Sequence, residues 1–551
     1  MKVIRLMTEY LFNPIGVDFT KPTFLWNVKE CKKQTAYQII VYVNKIKKWD
    51  SGKIFSSSMR CTCPLTFNSR DYVEWEIVAY DELDNPSNPA KAHFEIGLKN
   101  KEDWKALWVS GNYKVNKKKR YPVDYFKKEF EVKENIKARL YITSCGLYEA
   151  KINGVKAGNF VLAPGITNYK YRIQYQTIDV TDLLKIGKNI IEVELADGWY
   201  RGSCGAWGIR NQYGKETKFL AQLEIYNKKG EISTVFSDDT WSWSNDGPIL
   251  FADNKDGEII DLRKTPSYKF MSKISKYNIT PTSSNNVLLE EHEHFKPKMI
   301  ITPSKKKVLD FGQNIAGYIS LKIKAKDGDK IYLRFGELID KNGEFTQKNI
   351  QCASKKKDYR TPLQEIKIIC KEGLNEYKTK FAIFGFQYVL IDTNLDFNLE
   401  DFTAIAVYSS FEETLKFDSS NYLLNKLVES TKWSAKNNHA DLPTDCPTRE
   451  RHGWTGDAQI FVNTASYLFN YDSFARKYET MLVDEQKKNG KYTQIVPSGG
   501  VDFYMKFMDG SSGWSDAGIL IPYRIWKLYG DDKIIKDNFA SMEKYVKFLI
   551  T

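Results

Sequence analysis

Two hydrophobic periods divide the chain. Up to about residue 405, apolar positions recur every second residue in short runs, the pattern of strands with one buried face. Val73, Trp75, Ile77 and Ala79 alternate with Glu74, Glu76, Val78 and Tyr80. Runs at 36–43, 139–143, 173–180, 189–195, 308–321, 332–337 and 384–391 read the same way. From about residue 406 the period lengthens to near 3.6. Leu424, Leu427, Val428 and Thr431 fall at helical spacing, as do Ile460, Phe461, Ala465 and Leu468. Phe474, Ala475, Tyr478, Met481 and Leu482 form a third helical face, and Phe539, Met542, Tyr545, Val546 and Leu549 another. A β-rich N-terminal part followed by a helical C-terminal part is the fold class this predicts.

Turn residues subdivide the β part. Pro86 and Pro89 with Asn85 and Asn88 close a first sandwich near residue 100. Asn153-Gly154, between Ile152 and Val155, is a strong hairpin signal because both residues tolerate positive φ. Gly312 and Gly317, either side of Asn314, suggest a sharp turn or a close backbone approach. Four segments result: 1–100, 101–290, 291–405 and 406–551. In the last, helices are expected at 421–438, from Asp457, at 471–488 and at the C-terminal end, with Gly490 beyond the third.

The chain has 551 residues, of which 42% are hydrophobic and 14% aromatic, enough for several cores. The net charge of +13 raises nucleic acid as a partner. Its lysines, however, scatter in short runs at 117–120, 305–307 and 355–357, with no basic helical stripe and no nucleic-acid motif. Solvated loops are expected instead, and an acidic glycan stays open as a substrate. No stretch approaches the ~20 apolar residues of a membrane helix, and no apolar leader opens the sequence. A soluble, cytoplasmic protein is the expectation, with no membrane or nucleic-acid partner. Eight cysteines include one Cys61-x-Cys63 without a second pair at metal-ligand spacing. His292 and His294 form a His-x-His with no third ligand in view. Reduced thiols and no metal site are expected. Trp199, Tyr200 and Trp207 are expected to pack within the sandwich or at a domain interface.

Residues 441–460 carry the chemistry. Four acids, two arginines, a histidine and a tryptophan fall in twenty residues broken by Pro443, Pro447, Gly453 and Gly456, between two helical patterns. Such a loop is a good place for a site. If Asp445, Glu450 and Asp457 converge, repulsion raises the pKa of at least one, and a carboxyl protonated near neutrality can act as a general acid. Arg449 and Arg451 flank Glu450 and oppose this. Trp454 offers an apolar wall or a flat face for a sugar ring. Composition alone equally allows a salt-bridged interhelical loop.

The stretch Asp-Cys-Pro-Thr-Arg-Glu-Arg-His-Gly-Trp-Thr-Gly-Asp-Ala at 445–458 resembles the signature of bacterial α-L-rhamnosidases of glycoside hydrolase family 78. The stretches from Asp197 to Gly202, from Val308 to Leu321 and around Trp514-Ser-Asp-Ala517 resemble further parts of that family. The resemblance implies release of terminal non-reducing α-L-rhamnose with inversion, by a glutamate acid and a glutamate base. It places Glu450 on the general acid. Asp445, Arg449, Trp454 and Asp457 fall on sugar-binding positions, although the segment before Glu450 is one residue shorter than in many members. Trp514 would wall the pocket, and Asp516 would bind hydroxyls or order the site. The substrate class is a rhamnose-containing glycoside or oligosaccharide, with no cofactor.

The resemblance also implies an architecture: a fibronectin-III/Ig-like β-sandwich at 1–100, a jelly-roll domain at 101–290, a concanavalin-like β-sandwich at 291–405 and the first part of an (α/α)6 six-hairpin domain at 406–551. Such a barrel has twelve helices, and the pattern here supplies about five or six. The reading is therefore a barrel incomplete in this chain, with its general base expected beyond Thr551. Apolar helix faces left uncovered would invite partner binding, a homodimer among the options. Two rival readings remain: a catalytically silent carbohydrate-binding protein and a different (α/α)6 glycosidase.

Overall fold

The computed structural model describes residues 1–352, 360–499 and 505–551. The lysine run at 355–357 and Gly500 lie outside them. The first unit packs a three-stranded sheet (Lys2–Thr8, Thr23–Lys29, Arg60–Thr62) on a five-stranded one built around Ala36–Val43, Tyr72–Tyr80 and Ala90–Glu95. The alternation at 73–80 does what its period requires. Val73, Trp75, Ile77 and Ala79 are buried beside Phe24, Trp26 and Phe94, and Phe24 stacks on Trp75 with centroids 4.6 Å apart.

The second unit is a sandwich of a six-stranded and a seven-stranded antiparallel-dominated sheet. Strands Asp124–Val132 and Gly187–Ala196 run side by side in one, and Lys137–Cys145 and Lys218–Tyr226 in the other. Asn153 and Gly154 both take positive φ (52° and 81°) in the tight turn between Leu147–Ile152 and Val155–Lys156.

The third unit centres on a ten-stranded sheet. Its longest strand, Lys307–Ala325, pairs with both Phe384–Thr393 and Phe402–Ser409. Strands Ile249–Asp253 and Gly257–Asp261 belong to this sheet, the latter pairing with Glu365–Ile369. They precede residue 290, so this sheet recruits chain from before the third sequence segment. The hairpin they form becomes important below.

Among the described residues, the C-terminal part contributes the helices Tyr422–Asn437, Thr455–Leu468, Asp472–Asp484, Ala517–Tyr529 and Lys533–Ile550. Asn421 caps the first, its side chain accepting from the Leu423 N–H at 2.9 Å. Phe474, Ala475, Tyr478, Met481 and Leu482 are buried together with Ile521, Ile525 and Tyr545. The first and last helices differ from this. Leu424, Leu427, Phe539, Val546 and Leu549 are exposed. The helical spacing holds, but the described residues leave those stripes uncovered. The first helix packs through its C-terminal half instead, where Trp433 meets Phe295 and Lys436 pairs with Glu293 at 3.0 Å.

Candidate active site

The loop after the first helix is held from several sides. His439 is buried and neutral: burial pushes its pKa down to about 4. It donates from Nδ1 to the Ala435 carbonyl (2.7 Å) and accepts from the Tyr471 hydroxyl at Nε2 (2.9 Å). Asp441 takes positive φ (67°) and is buried. It ion-pairs with buried Lys477 and accepts the Ile166 N–H from the second unit at 2.6 Å. Gly453 to Thr455 pair with the segment 494–496. Val496 N–H donates to Gly453 O and Thr455 N–H to Gln494 O, both at 2.9 Å.

Within this frame the acidic residues separate by environment. Glu450 sits between two donors: Arg449 Nη2 at 2.8 Å and Trp454 Nε1 at 3.1 Å. Burial pushes its carboxyl up, but the indole, the guanidinium and His452 outweigh this and hold it below the ordinary glutamate value. Asp445 goes the other way. Burial lifts it to about 6, aided by the Glu450 charge and opposed by hydrogen bonds that include the His452 N–H at 3.0 Å. Asp457, in the first turn of helix Thr455–Leu468, is also raised by burial and by Glu450.

Asp445, Asp457 and Trp514 line one cavity of about 480 Å³, with His439, Gln459 and Phe461 among its other walls. Trp514 lies over Gly456, where a Cβ would come within 2.9 Å of the indole, so the glycine admits the ring. Glu450, Arg449 and Trp454 form a hydrogen-bonded trio, and the Glu450 charge reaches both cavity carboxyls. Asp516 is placed differently. Its carboxylate accepts from the Gly513 N–H and the Tyr545 hydroxyl, each at 2.8 Å, so it orders the loop that carries Trp514.

The β units supply contacts that the sequence did not signal. Arg451, at φ 54°, donates to Asn254 O (2.8 Å), Gln364 Oε1 (3.0 Å) and Thr448 O (3.2 Å). Buried His452 accepts the Ala206 N–H at 3.3 Å, close against Gly205. The stretch after Asp197 thus reaches the loop. Of its aromatics, Tyr200 is buried, Trp199 faces small clefts beside Arg451, and Trp207 is half exposed. His292 is absorbed by the third unit, stacked on Tyr408 at 3.7 Å. No cluster of three or more metal-ligating side chains occurs among the described residues. No helix among them is long and apolar enough to cross a membrane.

This is the layout of a glycosidase of the six-hairpin class behind β domains, and comparison with known proteins matches it domain by domain. Residues 412–551 match the bacterial alpha-L-rhamnosidase 6 hairpin glycosidase domain, and 300–408 its concanavalin-like domain. Residues 133–299 match the alpha-L-rhamnosidase N-terminal domain, and 3–100 the Rha78A-like N-terminal immunoglobulin domain. An alpha-L-rhamnosidase of Formosa agariphila is 33% identical over 98% of this chain and 61% of its own length. The solved alpha-L-rhamnosidase of Dictyoglumus thermophilum superposes with a TM-score of 0.90 at 31% identity, covering 100% of this chain and 64% of that one. That of Aspergillus terreus gives 0.90 at 28% identity, covering 99% and 64%. The chain thus carries, in order between residues 133 and 551, matches to three alpha-L-rhamnosidase domains. It spans about 61% of the length of the curated relatives from Formosa and Alteromonas that it matches.

Proposed function

We propose that this chain carries the acid side of an inverting α-L-rhamnosidase site, acting on terminal non-reducing α-L-rhamnose in glycosides or oligosaccharides. The observation that carries the reading is Glu450, braced by Arg449 and Trp454 beside a cavity lined by Asp445, Asp457 and Trp514. The names of the relatives support the substrate class. In the reaction, the Glu450 proton passes to the glycosidic oxygen as its bond to the anomeric carbon breaks. A water oxygen bonds to that carbon from the opposite face, and a second carboxylate takes the water's proton. An inverting pair stands ~6.5–9.5 Å apart to admit the water. We assign no general base among the described residues. Asp445 and Asp457 offer acceptors to sugar hydroxyls, and Trp514 a flat wall.

Glu450 must gain a proton to act, and its two donors hold it ionised in the free site. Arg449 is the adjustable one: its side chain is 48% exposed. A substrate that turns the guanidinium aside lifts the Glu450 pKa at the moment it is needed. A second reading rests on Asp445, which at about 6 already holds a proton in weak acid.

The test follows hydrolysis of 4-nitrophenyl α-L-rhamnoside by proton NMR. The β anomer of rhamnose is expected first. First appearance of the α anomer contradicts inversion. Rhamnose binding without turnover, unaffected by Glu450→Gln, identifies a carbohydrate-binding protein instead.

A further inference from the structure

The hairpin turn between Ile249–Asp253 and Gly257–Asp261 holds one lysine with which no carboxylate among the described residues ion-pairs. Lys255 is 1% exposed. Its Nζ donates to the Gly205 carbonyl, to the Arg449 carbonyl at 2.8 Å and, more weakly, to the Glu450 carbonyl at 3.5 Å. A buried ammonium is costly to desolvate. Burial and the neighbouring Arg451 charge push this one down to about 8. The fold nevertheless keeps it, and spends its three donors on backbone oxygens of two separate loops.

The turn itself is rigid. Asp253 accepts the Lys255 and Asp256 N–H groups at 3.0 and 3.1 Å, and Arg120 bridges Asp253 and Asp256 at 3.2 and 2.7 Å. The exchange also runs both ways. The loop returns Arg451, whose guanidinium donates to the Asn254 carbonyl at 2.8 Å. Two neighbouring turn residues therefore grip three consecutive loop residues, Arg449 to Arg451, with Glu450 in the middle. Arg449 and Glu450 lie in a turn that closes on Arg451 at φ 54°, and holding its backbone atoms in place restricts where the Glu450 carboxyl can point.

Resting on the assignment of Glu450 as the proton donor, we propose that Lys255 is a positioning residue for proton donation, acting from a β unit through the main chain of the catalytic loop. Catalytic groups need placement to about half an ångström. A lysine that only stabilised the fold would slow all substrates alike when removed. One that aims the acid matters most where the leaving group needs its proton.

The experiment compares wild type, Lys255→Met and Lys255→Gln on two α-L-rhamnosides. One has 2,4-dinitrophenolate, which departs without protonation, and the other an alkoxide, which does not. Thermal unfolding is followed in parallel. For the folded variant we expect kcat/KM on the alkyl rhamnoside to fall at least tenfold more than on the dinitrophenyl rhamnoside, with KM on the latter within about twofold. Lys255→Gln, which keeps a neutral donor, is read the same way if Lys255→Met does not fold, with a smaller but like-signed split. Equal losses on both substrates, or no loss, overturn the proposal. An inactive wild type is distinguishable from either result and overturns Glu450 as a working proton donor in this chain, and this proposal with it.

Discussion

The loop from 441 to 457 has two sides built by opposite means. Toward the β units it is pinned by fully committed groups: Lys255 to main-chain carbonyls, Arg451 to Asn254 and Gln364, His452 to Ala206, and Asp441 to Ile166. Toward the helices it opens on the cavity of about 480 Å³, where Asp445 and Asp457 carry raised pKa values and Trp514 is 42% exposed. One side spends polar groups on geometry. The other leaves them available to a ligand. The contrast teaches that the loop takes its geometry from domains distant in sequence, while it turns Asp445 and Asp457 toward a cavity walled by the helical segments.

Breaking the fixed side should cost stability most. Asp441→Ala strands buried Lys477, and removing one partner of a buried pair costs about 3–5 kcal/mol. Equilibrium urea unfolding should show that loss, and a change under about 1 kcal/mol would mean the pair does not clamp the loop.

The open side should show itself in pH dependence. The folded-state pKa of Asp445, about 6, lies above the ordinary aspartate value of 3.8. The folded protein therefore holds a proton that the unfolded chain releases, so this contribution is present at low pH and lost as pH rises through 6. Asp445→Asn should flatten the fall in stability across that window. An unchanged profile would remove Asp445 from the set of raised carboxyls.

A smaller effect is expected at the rim. Trp514→Ala should raise KM for an aryl rhamnoside by about 3–10-fold, the worth of a ring-face contact of ~0.5–1.5 kcal/mol, while the melting temperature hardly moves. A loss of kcat with KM unchanged would instead make Trp514 part of the chemistry.

Much of this was legible beforehand because it is periodic or local. The alternation at 73–80 and the helical face from Phe474 to Leu482 follow from burying one side of an element. The turn at Asn153-Gly154 follows from the φ values those residues tolerate. Glu450, Arg449 and Trp454 lie within six residues, so their meeting needed only one bend. The illegible part is long-range. Lys255 looks like any other lysine, because what makes it unusual is the main chain facing it about 195 residues later. Positive φ at Asp441 and Arg451 leaves no mark either, since neither is glycine. Asp516 reads as a ligand-binding acid until Tyr545 and Gly513 N–H are seen to occupy it. The exposed stripe at Leu424 and Leu427 shows the converse: a period predicts a helix, not what covers it.

The most direct test is hydrolysis of an alkyl α-L-rhamnoside, whose alkoxide leaving group needs its proton, by the wild type and by Glu450→Gln at equal, verified folding. The account predicts turnover by the wild type and a kcat lower by about 10²–10⁴-fold in the variant, the usual worth of a general acid, with KM little changed. Turnover by a folded Glu450→Gln at the wild-type rate would contradict it and move the proton to another carboxyl, Asp445 first.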